Sequence, residues 1–157
     1  FSYMNNKDLT TQQIESKLQY YCSYQDRCHK EVIEKLKTFN IKSNESNEII
    51  SNLIKDNYLN ESRFSENFVR GKFKIKNWGK VRIVRELKQR NISRYNINLG
   101  LKEIDSQEYQ NKLDEIFKNK LSSLNNLNKT IIKKKIISYL LYRGWESNLI
   151  YSKINEL

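Results

Sequence analysis

RELKQRNI, Arg85–Ile92, is the stretch whose reading decides the fold. It has two counterparts, EKLKTFNI at Glu34–Ile41 and SYLLYRGW at Ser138–Trp145. In this alignment Leu36, Leu87 and Leu140 correspond, and so do Asn40, Asn91 and Gly144. Asn and Gly best tolerate the left-handed backbone that closes a helix, so their equivalence has a physical basis. The spacings are 51 and 53 residues, a period that suits a short helical array. The competing reading is coincidence among Leu-rich helices.

Working outward, apolar residues recur at helical spacing along the chain and nowhere alternate as in a strand. Ile14, Leu18 and Tyr21 make one stripe; Val32, Ile33 and Leu36 the next; Ile49, Ile50, Leu53 and Ile54 a third. Phe64 with Phe68, then Val81, Val84 and Leu87, then Ile97, Leu101 and Ile104 serve the middle of the chain. Leu113, Ile116 and Phe117, then Ile132, Ile136, Tyr139 and Leu140, then Leu149, Ile150 and Ile154 complete nine amphipathic helices. No proline interrupts them. Thr10 with Gln13 forms a capping box, and Asn60, Ser93 and Ser106 are placed to cap later helices. Gly79 breaks the chain after Trp78, and Gly144 takes a helix-closing position. SNESN, Ser43–Asn47, reads as a loop or a frayed helix start. The expected organisation is all-α: an extension at 1–9 and three-helix repeats at 10–59, 60–105 and 106–157.

Charge singles out the middle repeat. Glu61–Arg94 carries eleven basic and three acidic residues, +8 of the chain's +11. Clustered cations of this kind suit a polyanion such as DNA. Arg70, Lys72, Lys74, Lys76, Lys80, Arg82, Arg85, Lys88 and Arg90 are the candidate contacts. Val81, Val84 and Leu87 would face the core, leaving Arg82, Arg85 and Gln89 together on another face, with Lys88 adjacent. A solvated face is the plainer alternative for any one of these cations. Lys133–Lys135 spread around a helix and read as surface.

Enzymatic and metal chemistry find no support. Cys22, Cys28 and His29 fall short of a four-ligand zinc set, and the cysteines read as buried thiols. No phosphate-binding loop occurs, and His29 has no nucleophile partner pattern. Asp56, Glu61 and Glu66 are too dispersed to announce a nuclease metal site. No apolar run approaches a membrane span, and the N-terminus lacks a basic-then-apolar signal pattern. The expectation is a cytoplasmic protein without a cofactor, not an enzyme.

Three motifs carry a family resemblance. YLNESRF at Tyr58–Phe64, WGKVRIVREL continuing as LKQRNIS over Trp78–Ser93, and LLYRGW at Leu140–Trp145 resemble, in order, the signatures of RecX, regulators of the bacterial recombinase RecA. The resemblance runs from about Thr10 to the C-terminus and is weakest over Cys22–Asn47. Asn60 stands for a family Asp, Lys80 for a Pro and Asn91 for a Gly. The resemblance implies three tandem three-helix bundles in an elongated, curved array. It also implies binding in the groove of RecA filaments on DNA and inhibition of recombination. Apart from the resemblance, a monomer without a membrane partner is expected. Tyr58, Leu59, Arg63, Phe64, Gly79, Glu86, Leu87, Tyr142, Arg143 and Gly144 match its motifs as structural or partner-binding positions. Arg63 and Glu86, each beside a core residue, suit either a buried ion pair or a partner contact. Trp78, Trp145 and the tyrosines could pack in the core or stack on bases. A stand-alone nucleic-acid binder and a helical scaffold for an acidic protein are the alternatives.

Overall fold

The structure, a computed structural model, describes residues 9–157. The expected extension at 1–9 therefore lies, but for Leu9, outside the described residues. Among the described residues nine helices follow in order: α1 (Thr11–Tyr24), α2 (His29–Leu36), α3 (Ser43–Lys55), α4 (Glu61–Lys74), α5 (Lys80–Gln89), α6 (Arg94–Leu101), α7 (Ser106–Ser123), α8 (Lys129–Tyr142) and α9 (Ser147–Ile154). No strand occurs among the described residues. The helices pack in consecutive threes: α1, α2 and α3 touch one another, α4, α5 and α6 do the same, and α8 holds α7 and α9. SNESN is neither loop nor frayed end but the first turns of α3.

Helix starts follow local chemistry. The Thr10 hydroxyl accepts from the Gln13 N–H, and the Gln13 side chain accepts from the Thr10 N–H. Asn60, Ser93 and Asn128 accept from the N–H three residues on. Ser106 is not a cap. Asp105 takes that place and accepts from Gln107 and Glu108, because a carboxylate one residue earlier reaches both orphan donors.

Helix ends explain part of the repeat. Asn91 (φ 58°) and Gly144 (φ 86°) adopt the left-handed conformation. Behind them the Ile92 N–H donates to Leu87 O and the Trp145 N–H to Leu140 O, each at 3.1 Å. Asn40 does not share this geometry. After α2 the chain turns through Phe39 N–H to Leu36 O and Ile41 N–H to Phe39 O, so Phe39 enters the core and no left-handed residue is needed. Asn57 (φ 62°) closes α3 instead.

Two cores result. Ile14, Leu18, Cys22, Val32, Leu36, Phe39, Ile49, Leu53 and Leu59 fill the first set of three helices. The second and third sets share one continuous core, from Phe64, Val69 and Ile83 through Leu87 and Tyr109 to Trp145 and Ile150. Cys28, at the start of α2, is buried in this second core. In the middle set α4 and α6 touch closely because Gly100 offers no side chain to Ser65, whose hydroxyl donates to Asn96 O at 2.7 Å. On α5 the buried residues are Ile83 and Leu87; Val81 is 49% exposed and Val84 half-buried, correcting the expected stripe. Ile33 and Ile54 likewise stand exposed at the margins of their stripes.

Candidate nucleic-acid interface

The three motifs meet as two joints. In the first, Tyr58 packs on the first core, Leu59 is buried in it and Phe64 is buried in the second. Between them the Arg63 guanidinium donates to Asn57 O at 3.0 Å and Tyr58 O at 3.2 Å, the carbonyls left open where α3 ends. Asp26 lies 3.7 Å away. Of the two readings open for Arg63 and Glu86, a buried ion pair between them does not form. Glu86 instead binds Arg90 one turn on, at 2.9 Å, because the two sit on one side of α5.

The second joint sets the position of the candidate surface. The Gly79 N–H donates to Arg143 O at 2.8 Å and the Val81 N–H to Gly144 O at 2.9 Å. The orphan donors at the start of α5 thus satisfy orphan acceptors at the end of α8. Indole Nε1 of the fully buried Trp145 donates to Asn77 O at 3.1 Å, which fixes the loop before Gly79. The Tyr109 hydroxyl accepts from the Lys80 N–H at 2.9 Å and donates to the Glu146 carboxylate at 2.5 Å. Burial first, then the Glu146 carboxylate, push its pKa far above the ordinary phenol value. A raised folded-state pKa means stability that is complete below about pH 10 and fades above it, as the unfolded chain ionises first. Tyr109→Phe is expected to lower stability at neutral pH by about 1–2 kcal/mol. Its deficit against wild type should shrink above about pH 10, which urea titrations across pH would show. A constant deficit would mean the hydroxyl is not in this network.

With both joints fixed, α4 and α5 present two basic flanks. On one flank cations and rings alternate. The Arg90 guanidinium lies 4.9 Å from the Phe68 ring centre. The Lys72 ammonium is 5.4 Å from Phe68 and 4.9 Å from Trp78. Arg82 is 4.0 Å from Trp78 and 4.8 Å from Tyr142, whose carbonyl accepts from it. This ladder crosses from the second set of helices to the third. Burial against the rings, then Lys76 and Arg90, lower the Lys72 pKa. Arg143 stacks on Tyr139 at 3.7 Å, beside the ladder's end. In the sequence Phe68 reads as part of a stripe with Phe64, and Trp78 as core or as a base-stacking ring; no spacing rule announces that they separate cations.

The other flank is an open groove of about 780 Å³ lined by Lys80, Val81, Val84, Arg85, Lys88 and Glu146 among others. Arg85 and Lys88 are exposed there, while Lys80 leans over the Tyr109 ring at 4.5 Å. Arg82 and Arg85 therefore do not work as one face: Arg82 is held in the joint and Arg85 is free. Arg70 is also engaged, with Glu103 at 2.9 Å. Lys74 and Lys76 are exposed at the end of α4.

Other expected features stand apart. Cys22 and Cys28 are buried free thiols whose pKa burial raises, which keeps them protonated and unreactive. No group of three or more His, Cys, Asp or Glu among the described residues could hold a metal. No described helix is long and apolar enough to cross a membrane.

One family model matches the middle set of helices. Residues 60–101 fit the family model described as RecX, second three-helix domain. The chain is 31% identical over 141 residues to regulatory protein RecX of Lactococcus lactis subsp. cremoris, covering 88% of this chain and 52% of that one. Against regulatory protein RecX of Streptococcus agalactiae serotype V it is 27% identical over 138 residues, 88% of this chain and 53% of that one. The chain thus spans about half the length of the curated relatives it matches. The crystal structure of RecX from Lactobacillus salivarius shares the fold with a TM-score of 0.81, at 24% identity, over 94% of this chain and 96% of that chain. Taken with the three ordered motifs and the joints they build, these matches identify residues 60–101 with the second three-helix domain of RecX and make the chain similar over most of its length to regulatory RecX proteins.

Proposed function

We propose that this chain is a regulator that binds RecA filaments on DNA and inhibits the recombinase, by a binding action without a catalytic step of its own. The observation that carries the DNA part is the state of the cations. Lys74, Lys76, Arg85, Lys88 and Arg94 are exposed, and none pairs with a carboxylate among the described residues. Uncompensated cations on one segment attract phosphate, and release of its counterions drives binding. The recombinase part rests on the match to the second three-helix domain of RecX and on the relatives, which are regulatory proteins by name. An array wedged across neighbouring filament subunits would block growth at few sites, with the middle set against the DNA.

ATP turnover by RecA on excess single-stranded DNA tests this. Inhibition is expected at substoichiometric ratios of this protein to recombinase. It should weaken for Arg85→Glu/Lys88→Glu, which alters the free flank and spares the joint. Inhibition only when the DNA is nearly coated would overturn the filament reading and leave a general nucleic-acid binder.

A further inference from the structure

A second basic surface lies on the first set of helices, where net charge hides it. Residues before Glu61 carry eight basic and eight acidic side chains, so that set is neutral as a whole. Locally the balance differs. Between α1 and α2 lies an open cleft of about 570 Å³ whose lining includes Lys17, Tyr20, Tyr21, Tyr24, Arg27 and Lys35 and no carboxylate. Tyr20 and Tyr24 are 71% and 72% exposed, one turn apart, with ring centres separated by 6.4 Å. Tyr21 forms the inner wall, covered by the Arg27 guanidinium at 3.7 Å, with the Lys35 ammonium 5.5 Å from its ring centre. Arg27 is held in place: its Nε donates to Tyr21 O at 3.1 Å, and Glu31 lies 3.5 Å away.

Tyr95 and Tyr142 are as exposed, but among the described residues neither ring pairs with another aromatic. Hydration of two neighbouring tyrosine faces is unfavourable, and a stacking partner would relieve it. Aromatic faces beside cations that can meet a backbone are the pattern that grips single strands, one group for the base and one for the phosphate. An acidic peptide would use the cations and leave the rings idle. Duplex DNA would offer phosphates but keep its bases stacked out of reach.

We infer that the α1–α2 cleft is a binding site for single-stranded nucleic acid, with Tyr20 and Tyr24 stacking on bases, Lys17 and Lys35 facing the backbone, and Arg27 bracing the inner wall. The inference rests on the nucleic-acid part of the proposed function but not on the recombinase. It adds base contact to the phosphate contacts proposed for the middle set.

Fluorescence anisotropy with two labelled probes of equal length tests it: an oligothymidylate and the same backbone without bases. Wild type is expected to bind the oligothymidylate at least about tenfold more tightly. Tyr20→Ala/Tyr24→Ala should lose that preference and keep its affinity for the abasic strand, while Tyr20→Phe/Tyr24→Phe should keep both. Both positions are exposed, so the fold should survive, and circular dichroism would show it. Arg85→Glu/Lys88→Glu should weaken both probes alike and leave the preference intact, which separates failure of this cleft from failure of the middle surface. A base preference that survives the alanine pair, or no preference in wild type, overturns the inference. So would polyglutamate competing for the cleft as well as the oligothymidylate does, since that would make it an acidic-peptide site.

Discussion

Gly144→Ala is expected to lower the unfolding free energy by about 3 kcal/mol or more, the range reached when backbone strain and broken caps combine. The residue sits at φ 86°, where a side chain is already strained. A Cβ built there would lie 2.1 Å from the Arg82 Cβ and 2.4 Å from the Arg82 backbone nitrogen. Those atoms cannot simply withdraw. They belong to the first turns of α5, which are tied to α8 by the Gly79 and Val81 N–H groups. Separating the helices to admit the methyl would strand donors and acceptors on both ends. Gly71→Ala is the matched control. It lies within α4 with nothing within 4 Å of an added Cβ, so the same substitution should stabilise by about 0.5–1 kcal/mol. Urea unfolding of the three proteins measures both signs. A Gly144→Ala protein within about 1 kcal/mol of wild type would mean that α5 and α8 do not meet as described.

How much of this was legible in the sequence depended on how local each cause is. Caps at Thr10, Asn60 and Ser93 were readable because donor and acceptor lie within three residues. Ser106 was misread because Asp105, an equally good cap, precedes it and wins by reaching two donors. On α5, Val81, Ile83 and Val84 are apolar over three sides of one turn, so periodicity alone could not tell which faces inward. The choice is made from outside the helix, by Arg143 and Gly144 about sixty residues away. The same holds for Arg82. Its charge suggested a ligand contact, yet Trp78 and Tyr142 hold it in the joint. Asn40 aligned with Asn91 and Gly144 in sequence but lacks their conformation, because Phe39 turns into the core first.

The motifs gain a common physical meaning from the joints. YLNESRF closes α3, caps α4 and lets Arg63 satisfy carbonyls between them. WGKVRIVREL and LLYRGW supply the two faces of the α5–α8 contact. Their glycines, caps and aromatics tie successive sets of helices together. Lys74, Arg85, Lys88 and Arg94 sit on helices and Lys76 on the turn after α4, so the array positions most of its unpaired charge by rigid elements.

That division predicts how charge reversal should behave. Lys76→Glu/Arg85→Glu/Lys88→Glu alters three exposed side chains with no carboxylate partner among the described residues. Each reversal removes two charges, so the formal net charge falls from +11 to +5. Stability should move by no more than about 1 kcal/mol, since surface sites away from caps and cores contribute little. Affinity for single-stranded DNA should fall by about two orders of magnitude or more at low salt, and the log–log slope against salt should decrease by about 2, near 0.7 for each phosphate no longer neutralised. Reversing Arg82 would be a poor probe of the same surface. A carboxylate between Trp78 and Tyr142 would forfeit the cation–ring attraction and disturb the joint, mixing a fold defect with a binding defect. The comparison therefore needs binding and unfolding measured on the same proteins. A triple variant that keeps its stability and its salt slope would place the phosphate-binding cations elsewhere. A shallower slope with intact stability would assign them to the free flank of α5 and the end of α4.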